Sequence, residues 1–320
     1  MPLVLRRAVA LVVTLLVVSF LTFGLTSLLP GDPAVQILGA EAATEENVAA
    51  VREELRLDDP LLARYVHWLG DAVTGDLGRS YRTNQPVAEA IAERLPVTLE
   101  IGLLALAIAL AVAVPLGTFS AFRAGGLADR VITSTTFGVL AVPSFMMAIL
   151  LILVFAETLR WLPATGWTRL TDDPVENLRG ALLPALSLAM GELAVYTRLL
   201  RSDMITTLQQ DSITMARAKG LPTWRILFRH ALRPSSFSLM TVVGVQIGTI
   251  VGGAVIVETL FAVPGVGRLL VDSISQRDLM MVQGVALVIA ASVVVVNFAV
   301  DLLYSLLDPR IRHGRAATAR

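Results

Sequence analysis

Long apolar stretches, separated by polar ones, dominate this chain of 320 residues. About 20 consecutive apolar residues allow a helix to cross the hydrocarbon core of a bilayer. Six segments approach or exceed that length and contain almost no charged residues: Ala8–Leu29, Val97–Phe122, Val131–Ala156, Ala181–Thr197, Ser235–Val257 and Leu279–Val300. The fourth is the shortest and is expected to extend to Leu200. A soluble domain cannot bury six such helices, so the pattern predicts an all-α membrane protein with six transmembrane helices.

The composition agrees with that prediction. Apolar residues make up 55% of the chain and charged residues 16%, against about 45–50% and about 25% in soluble domains. The first apolar segment follows Arg6 and Arg7 and in that respect resembles a secretory signal. A signal core is about 7–15 residues long, whereas this run continues for 22 residues without a charge. We therefore expect a retained first spanning helix within residues 1–29.

Basic residues are unevenly distributed between the loops. Six spans place both termini on one side, together with Arg123–Arg130 and Arg198–Arg233, and that side holds 15 of the 26 Lys and Arg residues. The short loops on the other side, Glu157–Gly180 and Leu260–Asp278, hold 5. Since short cytoplasmic loops are enriched in Lys and Arg, we expect both termini in the cytoplasm, including a tail at residues 307–320.

Residues 30–96 form the largest polar segment, which is expected to lie outside the cytoplasm. Thr44 is the predicted N-cap of a first helix with an acidic opening turn. A second helix is predicted from Pro60 to about Val73, and Gly75–Gly78 should end it. With twelve acidic and six basic residues, the segment is predicted to be a small, acidic helical cap on the membrane bundle.

A polar, basic insert separates the fourth and fifth apolar segments, within residues 203–234. A first short helix is predicted through Thr214–Lys219. It should end at Gly220, because glycine adopts the left-handed conformation that caps a helix C-terminus. Leu221 can make the apolar contact that accompanies such a cap. Pro222 cannot continue this helix but suits the first turn of another.

The second helix of the insert is predicted to be amphipathic. Its apolar face follows the i, i+3, i+4, i+7 spacing and consists of Trp224, Leu227, Phe228 and Ala231. A separate basic face consists of Arg225, Arg229 and Arg233. The insert is therefore expected to form a rigid knob that docks on a partner, and the alternative is an ordinary amphipathic helix lying on the membrane surface.

Four carboxylates lie within or at the ends of the apolar segments: Glu100, Glu192, Glu258 and Asp301. Carboxylates are costly in a bilayer and are candidates for function. Glu192 lies deepest in its segment and is the first candidate for lining a path or for a polar contact between subunits. Glu258 is the second, although structural pairing is favoured for it as for the other two. Arg198 or Arg201 is the expected partner of Asp301.

Several kinds of chemistry are missing from the sequence. There is no Cys, and His67, His230 and His313 lack the spacing of metal ligands. No phosphate-binding loop or nucleophile elbow is found. The aromatic residues of the basic insert are not interleaved with its charges, as they would be in a surface for nucleic acid. We therefore predict no catalytic site, no metal site and no nucleic-acid partner.

The insert resembles the cytoplasmic coupling loop of the permease subunits of ABC importers. The core of that loop, Ala-x-Ala-x-Gly, is present as Ala216, Ala218 and Gly220, while Asp211 and Met215 replace its leading Glu and first Ala. Further strings, in order along essentially the whole chain, resemble the dipeptide/oligopeptide/nickel-type permeases: LPGDPA at 29–34, GDLGRSY at 75–81, RLPVTLE at 94–100, VPSF at 142–145, WLPATGW at 161–167, ETLFAVPGVGRLLVDSISQRD at 258–278 and VDLLYSLLDPRIR at 300–312.

This resemblance implies a type I ABC importer permease fold, with residues 97–306 as a five-helix core. It also implies a bacterial-type inner or plasma membrane location. The permease would pair with a second, related permease, be driven by two cytoplasmic ATPase subunits and receive substrate from an external binding protein. ATP and Mg²⁺ would be bound by the ATPases and no cofactor by this chain. The residues expected to couple to the ATPases are Asp211, Ala216, Arg217, Ala218, Lys219, Gly220, Leu221, Trp224 and Arg225. Those expected to dock the binding protein are Glu45, Glu46, Glu53 and Glu54.

Two other classes of function remain as alternatives. A secondary transporter or channel working without an ATPase would need several ionisable residues near the midplane, and often repeat symmetry, whereas this chain offers mainly Glu192. An intramembrane enzyme would need a paired nucleophile and base or a metal cluster. Within the importer family, dipeptides or oligopeptides are the leading substrates, and nickel complexes, glycosides and other small solutes remain open.

Overall fold

The computed structural model describes residues 2–27, 33–38, 43–54 and 56–307. This described chain is helical and contains no β-strand, only an isolated bridge between Arg79 and Pro86. Its helices are α1 Pro2–Ser27, α2 Pro33–Leu38, α3 Glu45–Glu54, α4 Leu61–Thr74, α5 Val87–Phe122, α6 Leu127–Ala141, α7 Ser144–Leu151, α8 Pro174–Leu208, α9 Asp211–Ala218, α10 Thr223–Arg225, α11 Leu232–Gly253, α12 Val255–Leu260, α13 Val266–Ser275 and α14 Leu279–Leu307. Two π-helical turns, Ile152–Thr158 and Ile226–Ala231, follow α7 and α10.

The long helices are the ones suited to a bilayer. In the described part of the chain, three are long and apolar enough to cross a membrane: Val87–Phe122, Pro174–Leu208 and Leu279–Val300. The bent pair α6 and α7 adds a fourth if it is counted as one span, and α1 contains a shorter apolar stretch, Ala8–Gly24. The all-helical, membrane-spanning class is thus confirmed, while the count of six transmembrane helices stays a prediction.

The third predicted span, Val131–Ala156, is broken in the structure. The helix Leu127–Ala141 and the following helical stretch from Ser144 to Thr158 are bent by 102° relative to each other. Proline lacks an amide hydrogen and pushes the preceding residue out of the helical conformation, and Val142 before Pro143 is indeed extended. The helix therefore breaks at this proline, and the bent pair is either one broken span or a re-entrant loop.

Two helices begin earlier than the apolar pattern predicts. α5 begins at Val87 rather than Val97, because the polar run VAEAIAERL is made of good helix formers. α8 begins at Pro174 rather than Ala181. There the Asp173 carboxylate accepts hydrogen bonds from the amides of the next turn, at 2.9 and 3.1 Å, in the usual manner of an N-cap. A run of apolar residues marks only the membrane-embedded part of a helix. The polar turns at the ends of the helix are not included in that run.

The chain forms two compact units, of which the first contains the residues up to Val97 and Pro264–Leu306. In this unit α4 packs on α1, where Phe23, Tyr65 and Trp68 form a buried cluster. The Tyr65 hydroxyl also lies 2.8 Å from Ser19 Oγ. Both helices predicted in the polar segment exist. Thr44 Oγ1 accepts from the Asn47 amide at 3.3 Å before α3, and α4 ends at Gly75 with φ +95°.

The strings GDLGRSY and ISQRD meet in the first unit. Asp278, just before α14, accepts a hydrogen bond from the Ser80 hydroxyl and others from the amides of Tyr81 and Met281 at 3.4 and 3.3 Å. Ser80 Oγ in turn accepts from the amides of Arg82 and Thr83 at 3.2 and 3.0 Å. Burial, and after it the Asp278 carboxylate, raise the pKa of the Tyr81 phenol above its usual range. These hydrogen bonds therefore hold the loop of the GDLGRSY string against the start of α14.

The second unit, Thr98–Val263, is arranged around α8. The helices α6, α7 and α11 each pack against α8, and α12 packs against α7. The close approach of α5 to α8 requires a glycine, because a Cβ added at Gly117 of α5 would lie 2.9 Å from the Thr197 carbonyl oxygen of α8. Because the basic insert follows α8 directly and α11 follows the insert, these contacts position the insert.

Candidate functional site

The corner of the basic insert is built by hydrogen bonds at the end of α9. The Gly220 amide donates to Arg217 O at 2.9 Å and the Leu221 amide to Ala216 O at 3.3 Å. This 5→2 and 6→1 pair is the Schellman motif, which needs a left-handed residue at its second-last position. Gly220 is that residue, with φ +72°. The predicted cap at Gly220 is therefore confirmed.

A small apolar core holds the two arms of the insert together. Ile213, Ala216 and Ile226 are buried in it, and Leu208 and Leu221 pack against them. Leu221 thus makes the apolar contact expected of a residue that follows such a cap. The part of the insert from Asp211 to Ala231, which we call the knob, is accordingly a packed corner rather than a single helix lying flat.

The predicted apolar face of the second arm is confirmed at Ala231 and wrong at Trp224 and Phe228. Ile226 and Ala231 are buried, whereas Trp224 and Phe228 are exposed. The cause is the π-helical turn Ile226–Ala231, in which residues five apart are brought onto one face. A spacing rule based on 3.6 residues per turn therefore misses Ile226 and includes the exposed Trp224 and Phe228.

Large apolar and basic side chains are both exposed on the knob or beside it. Met215, Trp224 and Phe228 are 60%, 65% and 56% exposed. The neighbouring basic residues are also exposed: Arg217, Lys219, Arg225, Arg229 and Arg233. Of the nine residues predicted to couple to an ATPase, Ala216 and Leu221 face the knob's own core. The other seven are exposed: Asp211, Arg217, Ala218, Lys219, Gly220, Trp224 and Arg225.

A buried ion pair ties α8 to the first turn of α6. Asp129 accepts from Arg201 Nε at 2.5 Å and from Arg201 Nη2 at 2.7 Å. It also accepts from Ser120 Oγ at 2.5 Å and from the Gly125 amide at 2.8 Å. Bidentate pairs of this kind fix orientation as well as contributing energy. Since the knob begins ten residues after Arg201 along the chain, this pair fixes the helix that carries it.

Arg198 and Arg201, the two expected partners of Asp301, have other contacts, and the pairing itself stays a prediction. Arg201 binds Asp129, and the Arg198 guanidinium lies 3.9 Å from the centre of the Phe137 ring, a cation–π arrangement. The Asp301 side chain lies outside the described residues. Sequence inspection missed Asp129, although an acidic residue beside the start of an apolar segment is a signal that could have found it.

Glu192 lies at the edge of a cavity in the second unit. Tyr196 Oη donates to Glu192 Oε2 at 2.5 Å, and Gln246 Nε2 donates to Glu192 Oε1. All three side chains line a cavity of about 390 Å³. Gln246 was not predicted, although it is a lone amide in the apolar segment Ser235–Val257 and could have been singled out for that reason.

The other predicted site residues belong neither to the lining of this cavity nor to the knob. Glu258 is fully buried, and Thr98 Oγ1 donates to its Oε1 at 2.6 Å. Glu45, Glu46 and Glu53 are exposed on α3, and the side chain of Glu54 lies outside the described residues. Within the described residues, no group of three His, Cys, Asp or Glu side chains is placed to hold a metal ion.

Comparison with known proteins shows the family. The family model for the binding-protein-dependent transport system inner membrane component matches residues 113–313. The model for the N-terminal part of such membrane components matches residues 1–102. The chain is similar to a putative peptide transport system permease protein of Brucella abortus (strain 2308), with 41% identity over 311 residues that cover 97% of this chain and 99% of that protein.

Two relatives with more specific names are similarly complete. The di/tripeptide transport system permease protein of Pseudomonas aeruginosa (strain UCBPP-PA14) is 36% identical over 330 residues, covering 97% of this chain and 98% of that protein. The dipeptide transport system permease protein of Escherichia coli (strain K12) is 34% identical over 337 residues, covering 98% of this chain and 99% of that protein. These matches exclude the intramembrane enzyme and the stand-alone secondary transporter. The chain belongs to the family of binding-protein-dependent transport system inner membrane components, and it is a multi-pass permease subunit of an ABC importer rather than an enzyme.

Proposed function

We propose that this chain is one of two related permease subunits that enclose the translocation path of an ATP-driven importer of dipeptides or oligopeptides. Two ATPase subunits act on the cytoplasmic side and bind ATP and Mg²⁺, while a binding protein delivers substrate from outside. The peptide substrate is supported by the relatives, whose names refer to peptide, di/tripeptide and dipeptide transport. An uptake assay should compare peptides with nickel complexes and glycosides, which are the alternative substrates.

The proposed topology has six spans and both termini in the cytoplasm. The loops assigned to one side of the membrane are joined by contacts within each unit. On the proposed cytoplasmic side, Arg201 binds Asp129. On the proposed outer side, Ser80 binds Asp278 in the first unit and Thr98 binds Glu258 in the second. These contacts support the alternation of loops that the distribution of Lys and Arg predicts.

The exposed apolar surface of the knob is the observation that carries the proposal. Large apolar side chains that cluster on a surface, with polar groups around them, mark protein interaction sites. Trp and Arg are the residues most enriched among those that dominate binding energy. Met215, Trp224 and Phe228 are exposed on the knob, as are Arg217 and Arg225 on the same two arms. We assign this surface to a groove on the ATPase, with α3 outside as the docking surface of the binding protein.

Two variants test the knob. Gly220→Val forces a β-branched residue into the left-handed conformation, which costs roughly 1–2 kcal/mol and alters the corner. No heavy atom lies within 4 Å of the added Cβ, so the effect is confined to the backbone. Trp224→Ala leaves the packed core of the knob intact and removes about 2 kcal/mol or more of docking energy. Both are expected to abolish uptake by the reconstituted importer while the chain still inserts and assembles.

Trp161→Ala is the matched control, because Trp161 is 63% exposed and lies outside the knob. Peptide uptake and ATPase stimulation are measured in proteoliposomes for all three variants. Wild-type coupling in both Gly220→Val and Trp224→Ala would show that the knob is not where the ATPase acts. Equal losses in Trp224→Ala and Trp161→Ala would show that the effect is not specific to this surface.

A further inference from the structure

The cavity beside Glu192 has the size and lining of a ligand site. Its volume of about 390 Å³ falls in the range of about 300–1,000 Å³ found for small-molecule sites, which are mostly apolar with a few convergent polar groups. Here the apolar wall consists of Leu, Val and Ile side chains from α5, α6, α8 and α11. The polar groups are Glu192, Tyr196 and Gln246, with Ser144 at the start of α7.

Both oxygens of Glu192 act as acceptors. One accepts from Tyr196 Oη and the other from Gln246 Nε2, which is the pattern of an ionised carboxylate, an acceptor-only group. The two donors are neutral. Among the described residues no Lys, Arg or His forms an ion pair with Glu192, in contrast to Asp129, whose charge is balanced by Arg201. The cavity therefore presents one carboxylate that no basic side chain of the described residues balances.

Such a charge in apolar surroundings selects a compact cation. A metal ion prefers several oxygen ligands together, and no group of three His, Cys, Asp or Glu is found in the described chain. A primary ammonium fits better, since its three donors can use the remaining lone pairs of the two carboxylate oxygens. The apolar wall beside it can hold a hydrocarbon side chain.

We infer that the cavity is a subsite for a primary ammonium group with an adjacent apolar side chain, namely the N-terminal residue of a peptide in transit. Glu192 binds the ammonium, Tyr196 and Gln246 orient the carboxylate, and the wall takes the first side chain. This inference rests on the proposed peptide import. It assigns Glu192 to the path rather than to a contact between subunits.

A single introduced thiol can probe the cavity, since the chain contains no Cys. Gly191 lines the cavity, and a Cβ added there meets no heavy atom within 4 Å. Gly191→Cys in the assembled importer is treated with 2-aminoethyl methanethiosulfonate or with its neutral ethyl analogue. In each reaction the thiolate attacks the sulfenyl sulfur, a mixed disulfide forms and methanesulfinate leaves. The label is measured on this chain by mass spectrometry.

We expect the cationic reagent to react about tenfold faster than the neutral one, relative to a free thiol in solution, because a charged cleft concentrates counter-ions by 10-fold or more. Adding Glu192→Gln to Gly191→Cys should remove this preference. The dipeptide Leu-Ala should slow labelling severalfold, and N-acetyl-Leu-Ala, which lacks the ammonium, should not. Equal rates for the two reagents would overturn the inference. Equal protection by the two peptides, or none by either, would also overturn it.

A filling variant gives a second, independent measurement. Gly191→Leu places a side chain in the cavity, and Gly138→Leu is its control, since Gly138 is a helical glycine with equally open surroundings but does not line the cavity. Uptake of Leu-Ala is expected to fall at least tenfold in Gly191→Leu and less than twofold in Gly138→Leu. Equal uptake in the two variants would contradict the assignment.

The two proposals can fail separately. If the wild-type importer moves no peptide while the aminoethyl reagent still prefers the Glu192 cavity, the peptide substrate is wrong and the ammonium subsite stands. If peptides are imported normally and the reagent preference does not depend on Glu192, the subsite is wrong and the proposed function stands.

Discussion

Removing the Asp129 carboxylate charge tests the contact that holds α8 in place. Four hydrogen bonds converge on Asp129, whose side chain is 4% exposed, while that of Arg201 is 28% exposed. In Asp129→Asn the Arg201 guanidinium stays largely buried and loses its counter-charge. Removing one partner of a buried pair costs about 3–5 kcal/mol. Because Arg201 keeps some contact with water, we expect about 3 kcal/mol, the lower end of that range.

A double-mutant cycle separates the pair from other effects of substitution. The cycle combines Asp129→Asn with Arg201→Gln, and unfolding of this chain is followed by pulse proteolysis of the solubilised importer across a denaturant series. Coupling between residues in direct contact is about 0.5–3 kcal/mol, and two hydrogen bonds at 2.5 and 2.7 Å lead us to expect about 2 kcal/mol. Uptake should fall in parallel, since α8 leads directly into the knob.

The exposed pair Arg179–Glu176 on α8 is the matched control. Its atoms are 3.2 Å apart, but its side chains are 53% and 48% exposed, and exposed pairs contribute about 0.2–1 kcal/mol. The reasoning is refuted if the coupling energy of Asp129 and Arg201 is no larger than that of Glu176 and Arg179. It is also refuted if Asp129→Asn destabilises the chain and leaves uptake at the wild-type level.

Two further predictions concern the first unit. Ser80→Ala removes the donor to Asp278 and the acceptor of the Arg82 and Thr83 amides. Because leaving such groups unsatisfied costs about 1–3 kcal/mol, amide hydrogen exchange should accelerate at residues 79–86. The control Ser275→Ala, an exposed serine bonded only within its own helix, should change little, and an unchanged exchange rate in Ser80→Ala would contradict the role of this contact. Neutralising Glu45, Glu46, Glu53 and Glu54 to Gln should weaken stimulation of the ATPase by the binding protein at low ionic strength and leave basal hydrolysis unchanged, because rim charges mainly raise association rates and are screened by salt. A stimulation curve identical to wild type at low salt would remove these carboxylates from the docking surface.

The features predictable from the sequence are those set by local preferences or by composition. Runs of apolar residues indicate membrane helices whatever their partners are. The corner at Gly220 was predictable because few residues other than glycine adopt φ +72° at low cost. The break at Pro143 was predictable because proline blocks the helix before it. The ordered strings along the chain also indicate the family, and they require no knowledge of the contacts between helices.

Contacts between distant residues required the tertiary structure. Asp129 and Arg201 are 72 positions apart, Glu192 and Gln246 are 54 apart, and Ser80 and Asp278 are 198 apart. No local pattern indicates which of many polar side chains will meet across packed helices. Two members of the predicted apolar face, Trp224 and Phe228, are exposed for a related reason: packing of Ile226 and Ala231 is accompanied by a π-helical turn, which changes the periodicity on which the prediction relied. Local conformational energies thus determined the class, the breaks and the corner of this permease. The packing of helices decided that Asp129 meets Arg201 and that Glu192 lines a cavity.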